Sequence, residues 1–246
     1  PPWLSTLDHR CALMAELGVD AVLVLPFNRD LASMSPDDFV DHVVVERFHA
    51  LGVVVGENFR FGHRASGDLG TLVELGRERG FTAAAVPLLA GQGGVWSSTY
   101  VRGLVQAGDV RNAAYSLGRP HRVEGAVVHG DHRGRELGYP TANLAPAPHS
   151  AVPADGVYAA WLIVAPYTAH SVSYPAAVSV GTNPTFDGAT RRIESYAIDQ
   201  TELDLYGAHA AVDFVDRIRG QVRFDSVAEL QVAMAADVAA ARVALA

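Results

Sequence analysis

Apolar and polar positions change period several times along the first half of the chain. Ala21-Val22-Leu23-Val24-Leu25 is a continuous apolar run, which predicts a strand buried on both faces. Ser35-Pro36-Asp37-Asp38 then supplies an N-cap residue, a proline at the first helical position and acids in the first turn. The helix it opens is expected to carry Phe39, Val43, Val44 and Phe48 toward a core. Val53-Val54-Val55 predicts the next buried strand, 69–79 a helix, 81–86 a third strand, and 99–106 and 109–117 two further helical stretches. Strand–helix alternation of this kind predicts a doubly wound α/β sheet. Such sheets bind ligands at the carboxyl ends of their strands, which puts Gly56-Glu57-Asn58 and Ser97-Ser98-Thr99 at the ligand edge.

The pattern changes near Gly118-Arg119-Pro120. Strands are predicted at about 122–129, 156–164, 176–181, 193–199 and 210–216, separated by turns rich in Gly, Pro, Asn and Asp, which points to an antiparallel barrel. A closing helix is marked by a capping box of Ser226 and Glu229. Its Val227, Leu230, Met234, Val238, Ala241 and Leu245 recur at spacings of three and four. Two domains follow, 1–118 and 119–246.

With 246 residues the chain can bury one large core or two modest ones. Its net charge of −8 argues against nucleic acid as a partner, although Arg133, Arg135, Arg191 and Arg192 could form a local basic patch. Cys11 is the sole cysteine, so neither an intrachain disulfide nor a thiolate zinc site can form, which suits a reducing cytoplasm. The apolar runs are too short to span a bilayer, so no membrane partner is expected. No signal-peptide pattern opens the chain, and no initiator Met precedes Pro1-Pro2-Trp3, so the natural chain is expected to start earlier.

Candidate chemistry gathers between residues 130 and 143. Gly130 and Gly134 flank a polar loop whose bare backbone can approach a polyphosphate, with Arg133 or Arg135 to neutralise it; an ordinary solvated turn is the alternative. Thr141 and Asn143 alternate, so in an extended segment both point the same way. Their hard oxygens suit Mg²⁺ shared with nucleotide phosphates; hydrogen bonds to loop backbone after Pro140 are the alternative. Glu194, on the face opposite Ile193 and Ser195, offers a carboxylate that can take a proton, although most strand glutamates simply face water. Ser97-Ser98-Thr99-x-x-Arg102 can hold an anion at a helix start, or be an N-cap cluster and no more. His129, His132 and His149 lack metal-ligand spacing, and no G-x-S-x-G surrounds Ser97. No G-x-x-x-x-G-K-[ST], H-R-D or D-F-G occurs, so a kinase built from these residues is neither a P-loop enzyme nor a protein kinase.

Taken together the motifs resemble those of the prokaryotic bifunctional FAD synthetases, which join a riboflavin kinase to an FMN adenylyltransferase. The resemblance covers nearly the whole chain. It rests on Gly-Arg-Pro-His-Arg-Val-Glu-Gly from Gly118, the Gly130 loop, the Pro-Thr-Ala-Asn centre at 140–143 and Pro153-Ala154-Asp155-Gly156-Val157-Tyr158. Val180-Gly181-Thr182-Asn183-Pro184-Thr185-Phe186, Asp204-Leu205-Tyr206-Gly207 and Phe224-Asp225-Ser226 continue it. It implies a six-stranded kinase barrel in which Thr141 and Asn143 serve Mg²⁺ and ATP. Glu194 would be the base for the ribityl 5′-hydroxyl of riboflavin, Asn183 and Thr185 the flavin-side loop, and Arg219 and Phe224 a flap over the ligands. In the amino-terminal part, Gly56 to Gly62 and Ser97 to Arg102 resemble two adenylyltransferase motifs, implying Asn58, Ser97, Ser98, Thr99 and Arg102 for that site. The family's H-x-G-H is nowhere in this sequence, and Gln221-Val222-Arg223 is less basic than the family pattern. The resemblance implies conversion of riboflavin to FMN and, in a complete chain, of FMN to FAD, with small-molecule substrates and a homo-oligomer left open. A nucleotidylyltransferase with a non-catalytic barrel and a flavin carrier are the competing readings; an RNA-binding barrel fits worst.

Overall fold

In the computed structural model of the chain, residues 1–91, 94–130, 137–185, 188–200 and 203–246 are described, 183–185 and 188–190 by their backbone alone. Thr6 opens the first helix, α1 (Leu7–Glu16), by accepting a hydrogen bond from the His9 N–H. Residues 1–20 and 97–246 form one of two compact units, and residues 21–96 the other.

In the unit 21–96, α2 (Arg29–Ser33) precedes the predicted proline-led helix, α3 (Pro36–Phe39). Ser35 and Asp38 close a capping box there, and the winding continues as a π-helix over Val40–Arg47. Val43 and Val44 are buried as expected and Val40 joins them, while Phe39 is only partly buried and Phe48 stays half exposed, because His49 takes a φ of 48° and bends the chain away. β1 (Gly52–Gly56) and β2 (Thr82–Val86) pair in parallel, connected through α4 (Leu69–Arg79), whose C-cap Gly80 adopts φ +83°. Val40, Phe61, Leu72, Leu75 and Phe81 make this unit's core. A short hairpin follows, β3 (Ala90–Gly91) with β4 (Gly94–Val95).

The apolar run at 21–25 forms no strand. A strand needs a ladder partner at its edge, and burial on both faces needs a layer packed on each; among the described residues β1 and β2 pair only with each other. Val22, Leu23 and Val24 are exposed in consequence, and so is Val54 in the middle of β1.

In the other unit, α5 (Ser98–Ala107) and α6 (Val110–Leu117) lead into six strands. These are β5 (His121–Val128), β6 (Ala142–Pro146), β7 (Gly156–Val164), β8 (Val172–Thr185), β9 (Gly188–Ala197) and β10 (His209–Arg219). They close in the order β10-β5-β6-β9-β8-β7 with every pairing antiparallel. Five answer to the predicted runs; β6 completes the ring. Strand alternation sends Val127, Leu144, Leu162, Val178, Ile193 and Phe214 into the core. Gly125 is obligatory in β5, because a Cβ there would lie 1.7 Å from the Ala145 carbonyl oxygen of β6.

The last helix, α7 (Val227–Leu245), packs Val238, Ala241 and Leu245 on Ala159, Ala177 and Ile198 of the barrel wall. Ser226 caps it by accepting from the Glu229 N–H, while the Glu229 carboxylate reaches back to the Asp225 N–H. On another part of the wall, α1 is tied down by polar contacts. The buried Glu124 carboxylate accepts from the Thr6 hydroxyl at 2.5 Å and from the Tyr167 hydroxyl. Arg122 forms a fork with Asp213 at 2.6 and 2.7 Å, and His9 stacks on the Tyr167 ring.

Candidate active site

Two cavities of the barrel unit share Thr141 as a common wall. The smaller, about 50 Å³, is walled by the inward-facing Val127, Leu162, Ser195 and Ala197, with Thr141 and Asn143 beside them. The larger, about 220 Å³, is bounded by Ser179, Glu194 and Tyr196 of the barrel, by Arg219 and Phe224, and by Leu230 and Met234 of α7.

The ladders explain how the two are joined. On β9, Ile193, Ser195 and Ala197 are buried in the core, so Glu194 points the other way. Asn143 on β6 is the register partner of Glu194, and Ser179 on β8 is its partner on the opposite side. Directly opposed residues of an antiparallel pair have Cβ atoms about 5 Å apart on one face. Asn143 lines the smaller cavity and Glu194 the larger, so the two cavities abut at this pair. Gly130 lies against the Asn143 amide so closely that a Cβ would come within 2.2 to 2.6 Å of its atoms. A bare backbone at 130 therefore fixes where the Asn143 carboxamide can sit.

A strap runs over the larger cavity from the end of β10 to the start of α7. The Gln221 amide donates to the Ser179 hydroxyl at 3.0 Å and to the Val180 carbonyl at 2.9 Å. The Arg219 guanidinium lies 5.6 Å from the centroid of the Phe224 ring and donates to both Asp237 oxygens, at 2.8 and 2.7 Å.

The remaining candidates lie elsewhere. Asn58 is in the turn after β1, in the unit 21–96, next to Glu57, whose carboxylate accepts from the Leu88 N–H at 3.1 Å. Ser97, Ser98, Thr99 and Arg102 belong to the barrel unit. The Ser97 hydroxyl caps α5 by accepting from the Tyr100 N–H, Ser98 and Thr99 form its first turn, and Arg102 donates to the Pro2 carbonyl at 2.6 Å. Arg133 and Gly134 lie outside the described residues. Asn183 and Thr185 stand in β8, in register with Thr190 and Gly188 of β9, with their side chains outside the description.

Sequence reasoning missed Ser179, Tyr139, Tyr196, Gln221 and Asp237, all of which line the larger cavity. One signal was present for Asp237: it is the lone acid in the otherwise apolar stretch from Val232 to Ala241. Leu230 and Met234, expected to face a core, are cavity walls as well.

Thr141 and Asn143 supply neutral hard oxygens. Among the described residues no three His, Cys, Asp or Glu side chains are grouped to hold a metal ion. A cation fitting this donor set takes most of its ligands from substrate phosphates and water, which describes Mg²⁺.

Comparison with known proteins agrees with this layout. Residues 117–245 match the family model for riboflavin kinase, and residues 1–100 that for FAD synthetase. The bifunctional riboflavin kinase/FMN adenylyltransferase of Escherichia coli (strain K12) is 34% identical over 242 residues, which is 98% of this chain and 75% of the relative. Its namesake from Pseudomonas fluorescens is 37% identical over 98% of this chain and 76% of its own length. A crystal structure from Streptococcus pneumoniae described as a macrolide-efflux protein matches 97% of this chain and 75% of its own, with a TM-score of 0.87 at 32% identity. Among the described residues no helix here is long and apolar enough to cross a membrane.

Proposed function

Since the chain belongs to the bifunctional riboflavin kinase/FMN adenylyltransferase family, we propose that it makes flavin cofactors, its barrel phosphorylating riboflavin to FMN with ATP. The observation that carries the reading is the Asn143–Glu194 pair at the meeting of two cavities. ATP phosphates lie on the Thr141 and Asn143 side, and the flavin lies in the larger cavity under Arg219 and Phe224. The ribityl 5′-hydroxyl then reaches the pair from one side and the γ-phosphoryl group from the other. Glu194 accepts the hydroxyl proton as the oxygen attacks, and ADP leaves. Magnesium, when bound, cancels charge on the transferring phosphoryl group; Thr141 and Asn143 orient it, and Gly130 keeps Asn143 in place. Arg133 and Gly134 complete the phosphate loop, and Asn183 and Thr185 the flavin-side loop, by resemblance to the family.

For the second step, adenylylation of FMN to FAD, resemblance to the family assigns Asn58 a flavin-side role and Ser97, Ser98, Thr99 and Arg102 a nucleotide-side role. The functional boundary falls near residue 118, where Gly118 ends α6 with φ +70°. An acidic net charge supports small molecules rather than nucleic acid as partners, and the free Cys11 supports a cytoplasmic setting.

The test is incubation with riboflavin, ATP and Mg²⁺, followed by chromatographic separation of riboflavin, FMN and FAD. FMN is the expected product. Because these 246 residues contain no H-x-G-H, FAD is not expected from them. Tight flavin binding with no FMN formed would replace the kinase with a carrier.

A further inference from the structure

Asp237 lies in the middle of α7 with its side chain only 10% exposed, an unfavourable place for a carboxylate. Its charge is met by Arg219 through the two-pronged contact, eighteen residues earlier in the chain. The same guanidinium covers the Phe224 ring. Three consequences follow from this geometry. The pair closes a loop comprising the whole strap and the first half of α7. Arg219 is neutralised locally, so what it offers the larger cavity is a flat, charge-compensated surface rather than a free cation for a phosphate. And Phe224, with no strand or helix to hold it, owes its place in the cavity wall to the plane of the guanidinium above it.

We propose that Asp237 is a positioning residue for the flavin. It orients Arg219, which holds the Phe224 ring as one wall of a slot suited to an uncharged, planar aromatic ring system. Gln221 supports the same strap from the other side through Ser179 and the Val180 carbonyl. The inference rests on the kinase reading of this cavity. It is separable from that reading because Asp237 does not line the smaller cavity, where Thr141 and Asn143 stand, and is met instead by Arg219. A carboxylate acting through Arg219 and Phe224 affects how well the flavin is held and leaves the phosphoryl-transfer geometry alone.

Three variants test this, Asp237→Asn, Asp237→Glu and Phe224→Leu, together with the double variant Asp237→Asn/Phe224→Leu. The readouts are riboflavin affinity, by quenching of flavin fluorescence, and the separate kcat and KM of FMN formation. Asp237→Asn is expected to weaken riboflavin binding and raise its KM about tenfold, with kcat within about twofold. Asp237→Glu should recover most of the loss. The double variant should be no worse than Phe224→Leu alone, since both changes act on one contact. Unchanged affinity in Asp237→Asn, or a double variant whose losses multiply, overturns the positioning role while leaving the kinase intact. Wild-type protein that neither binds nor phosphorylates riboflavin overturns the kinase reading and this inference with it.

Discussion

Asn143 and Glu194 stand directly opposite each other across the β6–β9 ladder, one lining each of two adjoining cavities. Main-chain hydrogen bonds of a closed barrel set their separation, so the site is built on strands rather than on loops. Glu194→Gln keeps the shape and removes the base. FMN formation should fall by about a hundred- to ten-thousand-fold, with the melting temperature unchanged because the residue is not in the core. Turnover near that of the wild type would remove Glu194 from the base role.

Gly130 gives a second handle on the same site. Alanine there would place a methyl group inside the Asn143 amide, which must swing aside. Gly130→Ala and Asn143→Ala should therefore look alike in a Mg²⁺ titration of kinase activity, each raising the half-saturating concentration about tenfold. If Gly130→Ala titrates like the wild type while Asn143→Ala does not, the contact between the two is functionally idle.

Gly125 tests the barrel rather than the chemistry. A methyl group 1.7 Å from the Ala145 carbonyl oxygen cannot be accommodated without parting β5 from β6. Gly125→Ala should cost more than about 4 kcal/mol, visible as a collapsed thermal transition or insoluble protein. A melting temperature within a few degrees of wild type would show that the two strands can separate locally.

Acid should loosen the attachment of α1. Burial, then the positive charges of Arg122 and Arg119, push the His9 imidazole down from 6.5 to about 3. Below pH 6.5 the unfolded chain therefore takes up a proton that the folded chain refuses. Stability is present above that pH and drains away as pH falls, until the folded imidazole also titrates near 3. His121, depressed by its own burial, adds to the trend. Between pH 7.5 and 5.5 the melting temperature of the wild type should fall, and His9→Gln should flatten the slope. Parallel slopes for the two proteins would acquit His9.

Much of this was readable in the chain, for identifiable reasons. Period-two runs bounded by glycine and proline marked β5, β7, β8, β9 and β10, because their inner faces must be apolar to fill a small barrel. β6 escaped because Ala142–Pro146 is short, holds no β-branched residue and ends in proline. The run at 21–25 misled for the opposite reason: apolar continuity reports burial demand and says nothing of whether a partner strand is beside it. Thr141, Asn143 and Glu194 could be singled out because few residue types offer a hard oxygen or a carboxylate in such a pattern, and all three line the two adjoining cavities. Ser179, Gln221 and Asp237 could not, since each acquires its role from a segment distant in sequence, as Asp237 does from the guanidinium of Arg219.

Closing the ring of six strands leaves that sheet no open edge. The parallel pair β1–β2 is different. Among the described residues each of its strands has one row of N–H and C=O groups that no further strand takes up, and neither Gly52–Gly56 nor Thr82–Val86 contains a charged residue or a proline to repel a visitor. Concentrated or warmed protein should thus begin to self-associate there, strand against strand between copies, while the barrels are still intact. The place to look for the onset of self-association is then five residues on each of two small strands, far removed in role from the chemistry the barrel performs.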